Sequence, residues 1–102
     1  MQSETQATSG WGFVADHDSM ATIIDTLLDL DPEATYTRSE LADETGIALK
    51  TLHLMDDVDG VVDLGMLEKH HPEGEEIYYT VNEDSDVLAA AREFDRTVEE
   101  NR

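Results

Sequence analysis

The chain of 102 residues contains no cysteine, which removes disulfides, thiol redox sensing and thiolate metal ligation together. Cations are almost as scarce: six Lys and Arg stand against 25 Asp and Glu, a formal net charge of −19. There are only two prolines, so few positions are barred from regular structure by a missing N–H. No long apolar run and no basic start is present, so neither a membrane span nor a secretory signal is expected, and a cytoplasmic location follows. Chemistry is thinly provided for as well. No nucleophile beside a base, no Gly-rich phosphate loop and no clustered carboxylate dyad stands out, so neither an enzyme nor a cofactor is expected. His70 and His71 lie near Glu73, Glu75 and Glu76. Adjacent strand positions point to opposite faces, so the two imidazoles do not share one ion and no metal site is expected. His17 with Asp18 is no stronger.

What the chain does have is a length suited to one domain with one modest core, and 39% hydrophobic residues to build it. Its acidity has three readings: a disordered tail, a mimic of nucleic-acid phosphates, or the solvated surface of a protein from a salt-rich cytoplasm. The acids are interleaved with periodic apolar positions along the whole chain, which disfavours a disordered tail and a one-sided mimic and favours the third. In molar salt the Debye length falls to about 3 Å, so bulk repulsion from DNA is screened away.

Along the chain, residues 1–17 read as a flexible polar arm carrying an aromatic anchor at Trp11, Phe13 and Val14. Two readings of that anchor stand side by side: packing back onto the domain, or crossing to a partner subunit. Residues 18–100 read as the folded domain. Asp18 or Ser19 caps a first helix with Met20, Ile23, Ile24, Leu27 and Leu28 inward, and the Asp31-Pro32 pair stops it. From Tyr36 the order is short strand, helix, Gly turn, long helix, strand, turn, strand. Thr37 and Glu40 form a capping box that starts a helix at Arg38. Leu41 and Ala42 form its buried face, Gly46 ends it, and Ile47 follows as a plug. A second helix begins near Ala48 and runs to Gly65, with Leu52, Met55, Val58 and Val62 on one face. Met66 to His70 and Glu76 to Val81 read as strands around a Pro72 to Glu75 turn, with Ile77, Tyr79 and Val81 on one face. After Asn82 to Ser85 a last helix runs to about Glu100, striped by Val87, Leu88, Ala91, Phe94 and Val98. Its Arg92 and Arg96, with Arg102 beyond, have Glu93, Glu99 and Glu100 as candidate partners. The fold class is mainly α with a small β-hairpin, that is α+β.

The order of Ala42, Gly46, Ile47, Leu52 and Met55, followed by "LGMLEK" and "YYTVNEDSDVLAAAREFDR", resembles the winged helix-turn-helix superfamily, in detail the small MarR-like regulators of halophilic archaea. The resemblance covers Ser19 to roughly Glu100 and implies a transcriptional regulator that binds double-stranded DNA through a recognition helix and a wing. By position it assigns Leu49, Lys50, His53, Leu54 and Asp57 to the major groove. This set departs from the family's usual Ser, Thr, Arg or Gln, which read bases through paired donors and acceptors. Arg38, Lys69, His70 and His71 fall where such a fold meets the DNA backbone. The resemblance also implies that the last helix pairs with a twofold mate, giving a homodimer seam of Val87, Ala91, Phe94 and Val98 with Trp11; ordinary packing on the first helix is the alternative. A second function of another class stands beside the first. In it the same fold is a protein interaction module, contacting a protein partner through Leu49, Leu54 and the acidic half of the long helix.

Overall fold

The structure, a computed structural model, describes residues 9–102; most of the expected N-terminal arm, residues 1–8, lies outside the described residues. From Gly10 onward that stretch is helical. The Ser9 hydroxyl accepts from the Gly12 N–H at 2.9 Å and caps α1, Gly10–Ala15. Phe13 and Val14 pack against the core, while Trp11 stays exposed.

Helix α2, Met20–Leu27, buries Met20, Ile23 and Leu27 and half-buries Ile24. It ends before Asp31-Pro32, because three-residue bonds, Asp29 N–H to Thr26 O and Leu30 N–H to Leu27 O, tighten the chain after Leu27. Strand β1, Tyr36–Thr37, leads straight into α3, Arg38–Thr45. The capping box is formed: the Thr37 hydroxyl accepts from the Glu40 N–H at 3.2 Å, and the Glu40 carboxylate accepts from the Thr37 N–H at 2.9 Å. Gly46 ends α3 with φ 78°, the left-handed conformation that favours glycine.

The long helix expected from Ala48 to Gly65 is broken in two. Helix α4 spans Leu49–Leu54, Met55 is extended at φ −101° and ψ 157°, and α5 spans Asp57–Asp63. The cause is partly local and partly remote. Asp56, Asp57 and Asp59 are weak helix formers whose side chains compete with the backbone, and Gly60 weakens the helix further. The break lets Asp57, 5% exposed, turn inward and accept from the Ser19 N–H at 2.8 Å. It also lets α5 press close on α1 and α2: a Cβ on Gly60 would sit 2.9 Å from Met20 Cε and 3.3 Å from Phe13 Cζ.

Gly65, at φ 83°, closes α5 with paired bonds from Gly65 N–H to Val62 O and from Met66 N–H to Val61 O. Strands β2, Leu67–His70, and β3, Tyr78–Val81, follow as an antiparallel hairpin, and β1 joins the far side of β3 to give the order β1-β3-β2. Register places Leu67 opposite Val81 and Lys69 opposite Tyr79. Leu67, Tyr79 and Val81 therefore share the buried face, while Glu68, His70, Tyr78 and Thr80 share the outer one. Asn82 ties the hairpin base to the end of α5, donating from its N–H to Met66 O and from Nδ2 to Gly65 O. Ser85 caps α6, Asp86–Glu100, by accepting from the Leu88 N–H at 3.0 Å. One core, centred on Met20, Leu27, Leu52, Val61, Met66, Tyr79 and Leu88, joins all these elements. The chain is thus α+β, with a small three-stranded antiparallel sheet among its helices. Among the described residues no helix is long and apolar enough to cross a membrane.

Candidate nucleic-acid interface

Helix α4 is short because Gly46 and the extended Met55 bracket it, and it is anchored by a single fully buried side chain, Leu52. Everything else on it faces outward. Leu49 is 38% exposed and Leu54 80% exposed, with Lys50, Thr51 and His53 also exposed. Four of the five residues expected to face a groove, Leu49, Lys50, His53 and Leu54, therefore lie at the surface of one helix. Asp57 does not. It sits on α5, buried against the start of α2, where its carboxylate meets the positive end of that helix.

Arg38 is also used differently from expectation. Its Nε donates to the Tyr79 hydroxyl at 3.0 Å, its guanidinium lies over the Tyr79 ring, and it reaches Asp59 at 3.6 Å. The tyrosine is fully buried, so its hydroxyl needs an internal partner and Arg38 supplies it. Arg38 is thereby a brace between α3, the sheet and α5, with only part of its donor set left over for an external anion.

On the hairpin, Lys69 is exposed although it pairs in register with the buried Tyr79, and it lies on β2, an edge strand of the sheet. His70 stacks on Tyr78, ring centroids 4.7 Å apart, and its Nε2 lies 2.9 Å from the Thr80 hydroxyl, which is itself 3.5 Å from Glu68. His71 is exposed just past the strand end. On α6, Arg92 reaches Glu83 at 3.8 Å rather than a neighbour on its own helix, and Arg96 pairs with Glu93 and Glu100. Among the described residues, Lys50 and Lys69 have no carboxylate within 4.0 Å. The free cations of the folded part, apart from the terminal Arg102, are therefore one on α4 and one on the hairpin. Exposed acids lie close in sequence to both, among them Asp43, Glu44, Asp56, Glu68 and Glu73.

The expected seam residues Trp11, Val87, Ala91, Phe94 and Val98 are brought together elsewhere. They line a groove of about 630 Å³ between α6 on one side and α1 and α2 on the other. Trp11 and Phe94 meet edge to face at 5.0 Å. Of the apolar side chains of α6, Leu88 is buried in the core and Ala91 is half-buried against it. Compared with known proteins, the chain matches no family model, no curated protein and no solved structure.

Proposed function

We propose that this chain is a winged helix-turn-helix protein that binds double-stranded DNA and regulates transcription in a salt-rich cytoplasm. The observation that carries the reading is the position of Lys50 and Lys69. A chain with six Lys and Arg has Arg38, Arg92 and Arg96 engaged internally and leaves cations on α4 and on the hairpin. In a winged helix these are the elements that enter the groove and flank it. Lys50 reaches base edges or phosphate, and Lys69 with His71 meets the backbone. High salt is part of this reading, since it screens all but near-contact charges and so removes the repulsion of a −19 surface. Two cationic contacts per copy also imply a shallow salt dependence, a slope of roughly −2 in log affinity against log salt.

The test is fluorescence anisotropy against genomic fragments in molar KCl. Lys50→Glu abolishes binding to the preferred fragment, and Lys69→Ala weakens all fragments by a similar factor. Failure of the folded, unmodified chain to prefer any fragment would end the reading.

One observation favours the second reading, a protein interaction module. Leu54 is 80% exposed and Leu49 lies on the same short helix, and apolar side chains offer bases only methyl contacts. In that case Leu49→Asp with Leu54→Asp releases a protein partner recovered from cell extract, while Lys50→Glu changes little.

A further inference from the structure

We propose that the groove between α6 and α1/α2 binds an amphipathic organic cation, its apolar body seated in the trough and its ammonium group held near Asp25 and Asp95. The groove holds about 630 Å³, inside the range of roughly 300–1,000 Å³ usual for small-molecule sites. Its floor is apolar: Val14, Ile24, Leu28 and Ala91 line it and pack against the core beneath. Above that floor stand Trp11 and Phe94, ring centroids 5.0 Å apart and planes at 61°. Trp11 is 64% exposed and Phe94 52%, so more than half of this aromatic corner is open to a ligand.

Charge selects the class of occupant. Among the described residues, the only ionisable side chains on the lining are Asp25 of α2 and Asp95 of α6, one on each side of the trough. Both are exposed, and neither has a Lys, Arg or His nitrogen within 4.0 Å. Arg92 and Arg96, on the same helix as Asp95, are engaged by Glu83, Glu93 and Glu100 instead. An apolar anion would bring like charge to both sides, and a neutral body would partly dehydrate two carboxylates without a partner; a cation answers both. The aromatic corner favours the same sign, because the negative face of a ring attracts a quaternary ammonium within about 6 Å of its centroid. In 1 M salt charges act over only about 3 Å, so contacts inside the groove remain while the general attraction of a −19 chain for any cation is screened. The site stands apart from α4 and the hairpin and is measured without DNA.

Three probes that share a biphenyl-4-ylmethyl body and differ only in head group, trimethylammonium, sulfonate or hydroxyl, test it in 1 M KCl. Emission of Trp11, the single tryptophan, excited at the red edge where biphenyl does not absorb, reports occupancy. The expected result is saturation at one trimethylammonium probe per chain, with a Kd at least tenfold below that of the sulfonate and at least threefold below that of the alcohol. Asp25→Asn with Asp95→Asn, both at exposed positions, keeps the circular dichroism of the parent and brings the cation within twofold of the alcohol. Asp43→Asn with Glu44→Gln, two exposed acids on α3, leaves the preference intact. Phe94→Ala weakens all three probes. Equal affinity for the three head groups overturns the proposal, since the groove would then read apolar area alone. So does a cation preference that survives the loss of both Asp25 and Asp95, a response that never saturates, or a chain that excludes every probe because a second copy covers the groove.

Discussion

Asp57→Ala separates an acid that faces DNA from one that holds the fold. Asp57 is 5% exposed and its Oδ2 accepts from the Ser19 N–H at 2.8 Å. Truncation removes a hydrogen bond to a charged acceptor, worth roughly 1.5–3 kcal/mol, and leaves the amide without its partner. Two effects moderate the loss. The cleft beside it is open, so water can reach the Ser19 amide, and it is lined by Asp16, Asp18 and Asp56, whose repulsion with Asp57 is relieved. In 2 M KCl the second effect is screened, which leaves about 2 kcal/mol of destabilisation. For a domain of this size that lowers Tm by roughly 8–16 °C. Asp57→Asn keeps an acceptor oxygen without the charge and should lose about half as much. Thermal denaturation followed by circular dichroism in 2 M KCl measures both, and under the proposed DNA-binding function anisotropy well below Tm should find the affinity of Asp57→Ala equal to that of the parent. A Tm within about 2 °C of the parent, together with tenfold tighter DNA binding, would refute this reasoning, because it would mean that the carboxylate faces phosphate after all.

Gly46→Ala should cost about 1 kcal/mol in urea unfolding at fixed KCl, and Gly46→Asn less, since Asn tolerates the left-handed region better. No atom lies within 4 Å of the added Cβ, so equal losses for Ala and Asn would show that conformation is not the cause. Tyr79→Phe removes the hydroxyl that accepts from Arg38 Nε at 3.0 Å and should cost about 1 kcal/mol in the same assay. If Arg38→Ala then adds the same loss in the Tyr79→Phe background as in the parent, the bond contributes nothing. Finally, Tm should rise by several degrees from 0.1 to 2 M KCl as self-repulsion within the −19 chain is screened. A flat Tm would leave the acidic surface without a role in salt dependence.

Much of the architecture is written in short stretches of sequence, because its signals are local. The Thr37/Glu40 capping box and the stops at Gly46 and Gly65 act within a few residues, and each forms as expected. The alternation at Ile77, Tyr79 and Val81 likewise places Tyr79 and Val81 in the core and Ile77 beside it. Exposure on α4 is also legible, since one buried position, Leu52, leaves Leu49, Lys50, His53 and Leu54 outside. Other features depended on partners far away in the chain. The apolar spacing of Leu52, Met55, Val58 and Val62 suits one continuous helix, yet the chain breaks at Met55, where Asp57 meets Ser19, 38 residues distant, and Gly60 meets Met20 and Phe13. Arg38 looked free for an anion until the fold brought Tyr79, 41 residues on, within hydrogen-bonding distance. In α6 periodicity identified an apolar stripe, but only packing decided that Leu88 enters the core while Val87, Phe94 and Val98 stay uncovered. Capping, turns and periodicity are set by neighbours in sequence; which surface each element covers is set by the three-dimensional contacts that bury it.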